Sequence, residues 1–112
     1  MRLRSSLIMA FVLMGVLFLG VSSVYAETAE EYCSSGNDYY KQNNLSQAIS
    51  NLTKAIEINP KYPEAYVLRG MAYYKEKEYD KAWADVHKAE GLGLAVNPEF
   101  LATLKKVSGE DK

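Results

Sequence analysis

One cysteine, one histidine and one tryptophan among 112 residues leave little material for chemistry. A single cysteine forbids an internal disulfide, and in an exported protein an odd one points to a free thiol or an intermolecular bridge. Free cysteine is commonly a small buried residue, and we favour a place for Cys33 on a helix packing face. One His and one Cys without matched spacing cannot assemble ordinary zinc ligation, so no metal is expected. A nucleophile needs a base within hydrogen-bond reach, but Cys33 and His87 fall on helices of different predicted pairs; we expect no catalytic site. Gly91-Leu92-Gly93 follows a helix and not a strand, which removes the context of a nucleotide-binding glycine loop; no cofactor is implied. The formal net charge is only −1. Lysines alternate with acids as on a solvated helix face and form no basic stripe, which argues against nucleic acid as a partner.

Long apolar runs are also missing, except at the start. Arg2 and Arg4 precede an apolar stretch from Leu7 to Val21, and Val24-Tyr25-Ala26 supplies small or apolar residues for cleavage. That order predicts a secretory signal peptide over 1–26. Leu7 to Ala26 is also long enough for an uncleaved span, although Ser22 and Ser23 make its end polar. In both cases the basic start stays inside, and the rest is expected to be periplasmic or secreted, or anchored in the inner membrane facing the periplasm. The membrane then matters only through the leader. Cleavage after Ala26 leaves 86 residues, and loss of Arg2 and Arg4 takes the formal charge from −1 to −3.

What the remainder has is a period. Tyr32, Gly36, Tyr39, Ala48 and Ala55 recur 34 positions later as Tyr66, Gly70, Tyr73, Ala82 and Ala89, with Val86 answering Leu52 in kind. Glu30 with Glu64, Tyr40 with Tyr74, Lys41 with Lys75 and Lys54 with Lys88 keep the same offset. A fixed period of this size is the mark of a stacked-repeat protein.

Local signals divide each repeat into two helices. Thr28 with Glu31 reads as a capping box opening the first. Asn43 suits a left-handed stop, and Asn44 caps the second helix with Gln47 at its third position. Leu45, Ala48, Ile49, Leu52, Ala55, Ile56 and Ile58 lie at helical spacing, and Pro60 and Pro63 end that helix and restart the chain. In the turn Glu76-Lys77-Glu78 a strained left-handed Lys77 is expected. The fourth helix carries Tyr79, Ala82, Trp83, Val86 and Ala89 and stops at the glycines near 91–93. Asn97-Pro98-Glu99 starts a fifth helix, with Phe100, Leu101, Leu104 and Val107 as its stripe.

With these landmarks the chain resembles the tetratricopeptide repeat family. Tyr32, Gly36, Tyr39, Ala48, Leu52, Ala55 and Pro60 fit that family's pattern in repeat 1 (29–62), as do Tyr66, Gly70, Tyr73, Ala82, Val86 and Ala89 in repeat 2 (63–96). Ser35 and Arg69 stand where leucine is usual, and Leu94 replaces a proline. The resemblance implies an all-α fold: antiparallel helix pairs stacked as a short right-handed α-solenoid, with a capping helix over 98–107 and a polar tail over 108–112. It also implies a concave groove for a protein or peptide partner, formed by Glu30, Cys33, Asn37, Tyr40, Lys41, Glu64, Val67, Met71, Tyr74 and Lys75. A family variant that grips C-terminal carboxylates is not matched, because Cys33 and Leu68 occupy positions where it has lysine and asparagine. The expected function is an exported adaptor or assembly factor; the alternative is a homo-oligomer self-associating through Cys33 or the fifth helix.

Overall fold

The computed structural model describes residues 27–109, so the leader expected over 1–26 and residues 110–112 of the expected tail lie outside the described residues. Five helices follow one another: α1 (Ala29–Lys41), α2 (Leu45–Ile58), α3 (Pro63–Lys75), α4 (Tyr79–Gly91) and α5 (Pro98–Ser108). No strand occurs among the described residues. α1 packs on α2, α3 on α4, and α3 on α2, so the fold is an all-helical solenoid of stacked hairpins.

Most of the helix boundaries have a local cause. The Thr28 hydroxyl accepts from Glu31 N at 3.2 Å, Asn44 Oδ1 from Gln47 N at 3.4 Å, and Asn97 Oδ1 from Glu99 N at 2.8 Å. α1, α3 and α4 each close with the same pair of backbone bonds around a residue of positive φ: Asn43 (60°), Lys77 (63°) and Gly93 (94°). In each, that residue donates three positions back and its successor five positions back, as in Asn43 to Tyr40 and Asn44 to Tyr39. This is the Schellman closure, which consumes two carbonyls the helix end would leave bare.

The repeat therefore contains its own template for improvement. Asn43 tolerates the left-handed conformation and Asn44 caps α2, whereas Lys77 is strained there and Glu78 makes no side-chain cap for α4. A left-handed residue of ordinary type costs roughly 1–2 kcal/mol, and a missing cap about 0.5–2 kcal/mol. Copying the first turn into the second, Lys77→Asn with Glu78→Asn, should stabilise the domain by about 1–2 kcal/mol. A urea midpoint that does not rise at unchanged m-value would contradict this.

Small residues set the distance between paired helices. A methyl group on Gly36 would come 2.6 Å from Leu52 Cγ and 3.3 Å from Ala48 O; on Gly70 it would meet Ala82 O and Asp85 Cβ, each at 3.3 Å. Ordinary carbon contacts are about 3.5–4.0 Å, so a β-carbon at Gly36 would push the hairpin apart. Around these contacts Cys33, Leu52, Ala55 and Ala65 form one buried cluster, flanked by Tyr32, Tyr62 and Leu68. Tyr66, Ala82, Trp83, Val86, Ala89, Val96 and Leu104 form a second, and Ile56 packs against both. The Tyr66 hydroxyl donates to Pro60 O at 2.9 Å, which ties α3 to the turn before it.

The two ends of the stack are finished differently. The flank that α3 turns inward carries Ala65, Leu68, Arg69 and Ala72; 34 positions earlier α1 has Glu31, Ser34, Ser35 and Asp38, exposed apart from half-buried Ser35. A polar outer face is what a terminal repeat requires. At the other end α5 covers α4 with Leu104, which is completely buried. Two expectations about α5 change. Val107 is 43% exposed and not part of the packed stripe, because Leu104 and the Trp83–Ser108 contact orient the helix with that position outward. The helix also continues through Ser108, where the tail was expected to begin, and ends at Gly109 with φ of 67°.

Candidate functional site

On α1 and α3 the glycine face meets α2 and α4, and the residues expected to form a groove lie on one flank of that face. Successive positions on a helix are offset by about 100°, so Gly36 and Asn37, or Gly70 and Met71, point to different neighbours. α1 and α3 run parallel and touch. Their N-terminal ends meet where Tyr62, the residue before α3, packs against the buried cluster that contains Cys33. At their C-terminal ends Lys75 Nζ sits 4.1 Å from the centroid of the Tyr40 ring, a cation–π contact between repeats.

Glu30, Lys41, Glu64 and Lys75 are exposed; Asn37, Tyr40, Val67, Met71 and Tyr74 are half-buried. Cys33 differs, being only 5% exposed and part of the first buried cluster. It is the floor of the seam between α1 and α3 and presents no outward thiol. Tyr74, also among the expected groove residues, meets Phe100 of α5 edge-on, with centroids 5.6 Å apart, and Tyr79 at 6.2 Å. Tyr62 and Phe100 were not among the expected groove residues. Phe100 had a signal, since it stands 34 positions after Tyr66, which places α5 in the register of a third first-helix. The contact of Tyr62 depends on the path of the turn after Pro60, and no periodicity reveals it.

The seam is uncharged at its floor and acidic at its rim. Burial pushes the Cys33 thiol above its ordinary value, with Glu64 and Glu30 adding to the rise against the opposing Tyr62 hydrogen bond. Burial, the Cys33 contact and the same two carboxylates push the Tyr62 phenol up to about 12. A folded-state value above the unfolded one favours the protonated form. The Tyr62 contribution is therefore complete below about pH 10 and is lost as pH rises towards 12. Stability should decline over that window, and less so in Tyr62→Phe; equal declines would contradict the assignment. A thiol reagent at pH 8 should label native Cys33 roughly 10³-fold or more slowly than the denatured chain, since reaction waits for opening. Fast labelling of the folded protein would show the thiol to be accessible.

His87 is half-exposed, stacked on Trp83 at 5.4 Å, with Nδ1 3.5 Å from Glu90 Oε1, and it lies in a different hairpin from Cys33. Among the described residues no group of three His, Cys, Asp or Glu could hold a metal ion, and no helix is long and apolar enough to cross a membrane. A depression lined by Ser35, Asp38, Tyr39 and Gln42 lies on the outer flank of α1, away from the seam.

Stacked helix hairpins with side-by-side first helices define a solenoid-type interaction module. Comparison with known proteins agrees: a family model described as a TPR repeat matches residues 36–77, from the middle of α1 to the turn after α3. The chain is also similar to DnaJ homolog subfamily C member 7 homolog of Dictyostelium discoideum, 38% identical over 50 residues, 45% of this chain and 9% of that protein. Hsp70-Hsp90 organizing protein 2 of Arabidopsis thaliana is 32% identical over 72 residues, 64% of this chain and 12% of the relative. Protein bimA of Emericella nidulans is 32% identical over 53 residues, 47% and 7% respectively. The chain thus spans about a tenth of the length of these curated relatives. The matched repeat and the relatives support a protein–protein interaction module.

Proposed function

We propose that this protein is a non-catalytic, exported adaptor or assembly factor that receives a peptide or helix of a partner protein on the surface formed by α1 and α3. The observation that carries the reading is the seam itself. Two parallel helices, joined by Lys75 over Tyr40 and by the packing of Tyr62 on the cluster around Cys33, hold Asn37, Val67 and Met71 half-exposed. A rigid surface of this mixed character suits an amphipathic segment, whose apolar anchors gain burial while the rim charges fix register. Export rests on the basic, apolar and small-residue order of residues 1–26. Cross-linking through Cys33 is disfavoured because the thiol is buried, so capture of another protein is preferred to self-association.

The test is affinity capture from the native envelope, comparing the natural protein with Asn37→Ala/Met71→Lys. These sites avoid Tyr74, whose loss would also disturb α5. We expect a partner to be depleted about tenfold, a loss near 1.4 kcal/mol, with an unchanged urea midpoint. Equal recovery by the variant would remove the seam as the binding surface. N-terminal sequencing of the exported form tests the leader.

A further inference from the structure

On the flank of the two first-helices expected to form the groove the charges are sorted by end, whereas Asp38 of α1 lies on the outer flank and Arg69 of α3 is paired with Asp85. Glu30 and Glu64 stand in the first turns of α1 and α3, and Lys41 and Lys75 in their last turns. All four are exposed. Because the helices are parallel, the pairs fall at opposite ends of one surface. Tyr62 packed on the cluster around Cys33 joins the two helices at the acidic end, where Glu30 and Glu64 stand in the first turns. Lys75 over the Tyr40 ring fixes the basic end. Eleven residues separate the charges on each helix, or about 16 Å along the axis. Between them lie half-buried Val67 and Met71.

We infer that this surface takes an amphipathic partner helix of about three turns, lying antiparallel to α1 and α3, with an acidic N-terminal turn and a basic C-terminal turn. This rests on the reading of the seam as a binding surface and adds the chemistry and direction of its occupant. In the antiparallel orientation the partner's acidic turn meets Lys41 and Lys75, and its basic turn meets Glu30 and Glu64. Its dipole also opposes those of the two helices beneath it. Turned end for end, the same helix places like charges together at both ends, which is the repulsive element that gives direction. An extended peptide could span the same length with about five residues, but it would bring no dipole and no helical stripe to cover Val67 and Met71. The covered stripe would repeat at three and four residues, with the shallow crossing usual for bundled helices.

Two stapled helical peptides of about 16 residues test this, the staple compensating for the weak helicity of short chains. They share one apolar stripe; one carries glutamates in the first turn and lysines in the last, and the other has these exchanged. Helicity is matched by circular dichroism. The protein as purified from its producing cells should bind the first about tenfold more tightly at low ionic strength, with the preference shrinking as salt screens the exposed charges. Amide shifts should appear at Val67 and Met71. The fourfold variant Glu30→Lys, Glu64→Lys, Lys41→Glu and Lys75→Glu should invert the preference. Lys41→Glu/Lys75→Glu should abolish it if the fourfold variant folds poorly. Equal affinities with shifts at Met71 would overturn the charge polarity while leaving the seam as a binding surface. Binding of neither peptide would overturn the helical occupant, and the capture experiment with Asn37→Ala/Met71→Lys answers separately for the seam.

Discussion

Asp85→Ala should cost the domain about 3–5 kcal/mol, the penalty for leaving a buried charge without its partner. The Asp85 side chain is 6% exposed and that of Arg69 18%. Arg69 Nε and Nη2 donate to the two carboxylate oxygens at 2.8 and 2.7 Å, and Nη1 donates to Thr53 Oγ1 at 3.2 Å. One side chain of α3 thereby binds both α4 and α2, and its guanidinium lies 5.8 Å from the Tyr66 and Tyr73 centroids. The Asp85 hydrogen bond raises the Arg69 pKa further above its already high ordinary value, so the cation is not lost by deprotonation. After loss of Asp85 the charge must remain buried and unpaired, or swing out and open the hairpin where Gly70 brings the helices together.

Replacing both members separates specificity from stability. Arg69→Leu/Asp85→Leu should lie within about 1–2 kcal/mol of the natural protein, since an apolar pair of suitable volume often substitutes for a buried ion pair. A double-mutant cycle in urea measures the coupling. If Asp85→Ala alone costs less than about 1 kcal/mol, the pair behaves as a solvated surface bridge. A domain of this size has about 4–12 kcal/mol in total, so the single substitution should leave much of the chain unfolded at 37 °C.

This ion pair also shows where sequence reading ends. Arg69 is conspicuous as a departure from the leucine usual at its position, yet nothing in the chain names Asp85 as its partner. The equivalent residues of the first repeat are Ser35 and Asn51, so the period conceals the contact. It depends on the register between α3 and α4, which is set by the glycine contact and not by local pattern. Helix ends are different. Thr28, Asn43, Asn44, Lys77, Gly93 and Asn97 act on their own neighbours, and their roles follow from residue type and spacing. The site is intermediate. Gly36 and Gly70 locate the packed face and hence the flank beside it, but the burial of Cys33, the contact of Tyr74 with Phe100 and that of Lys75 with Tyr40 need the third dimension. In α5 a strict count of 34 places Phe100 at the position of Tyr66 and Leu104 at that of Gly70. Leucine at the latter position fills space where a close second helix would have to fit, and here it enters the α4 interface.

Trp83→Ala should be nearly as damaging as the loss of Asp85, at about 3–5 kcal/mol for removing a buried aromatic side chain. Trp83 is 3% exposed and clusters with Val86, Val96 and Leu104, while its Nε1 donates to Ser108 Oγ at 3.1 Å. It is thus held by α4 and covered by both the connection to α5 and α5 itself. Trp83→Phe removes the donor and some volume but keeps a ring, and should cost less than Trp83→Ala by about 2 kcal/mol or more. The distinguishing measurement is amide exchange. If Trp83 holds α5 in place, Trp83→Ala should strip protection from 98–108 by more than it lowers protection in α1 and α2. Because Phe100 of that helix meets Tyr74, loosening of α5 should reach Tyr74 and the proposed binding surface through that aromatic contact. Removing residues 98–112 exposes the same pocket, so Trp83→Ala in the shortened chain should cost much less than in the full one. Equal costs in the two backgrounds would mean that the tryptophan stabilises the second hairpin alone and that α5 is held by Leu104 and Val96.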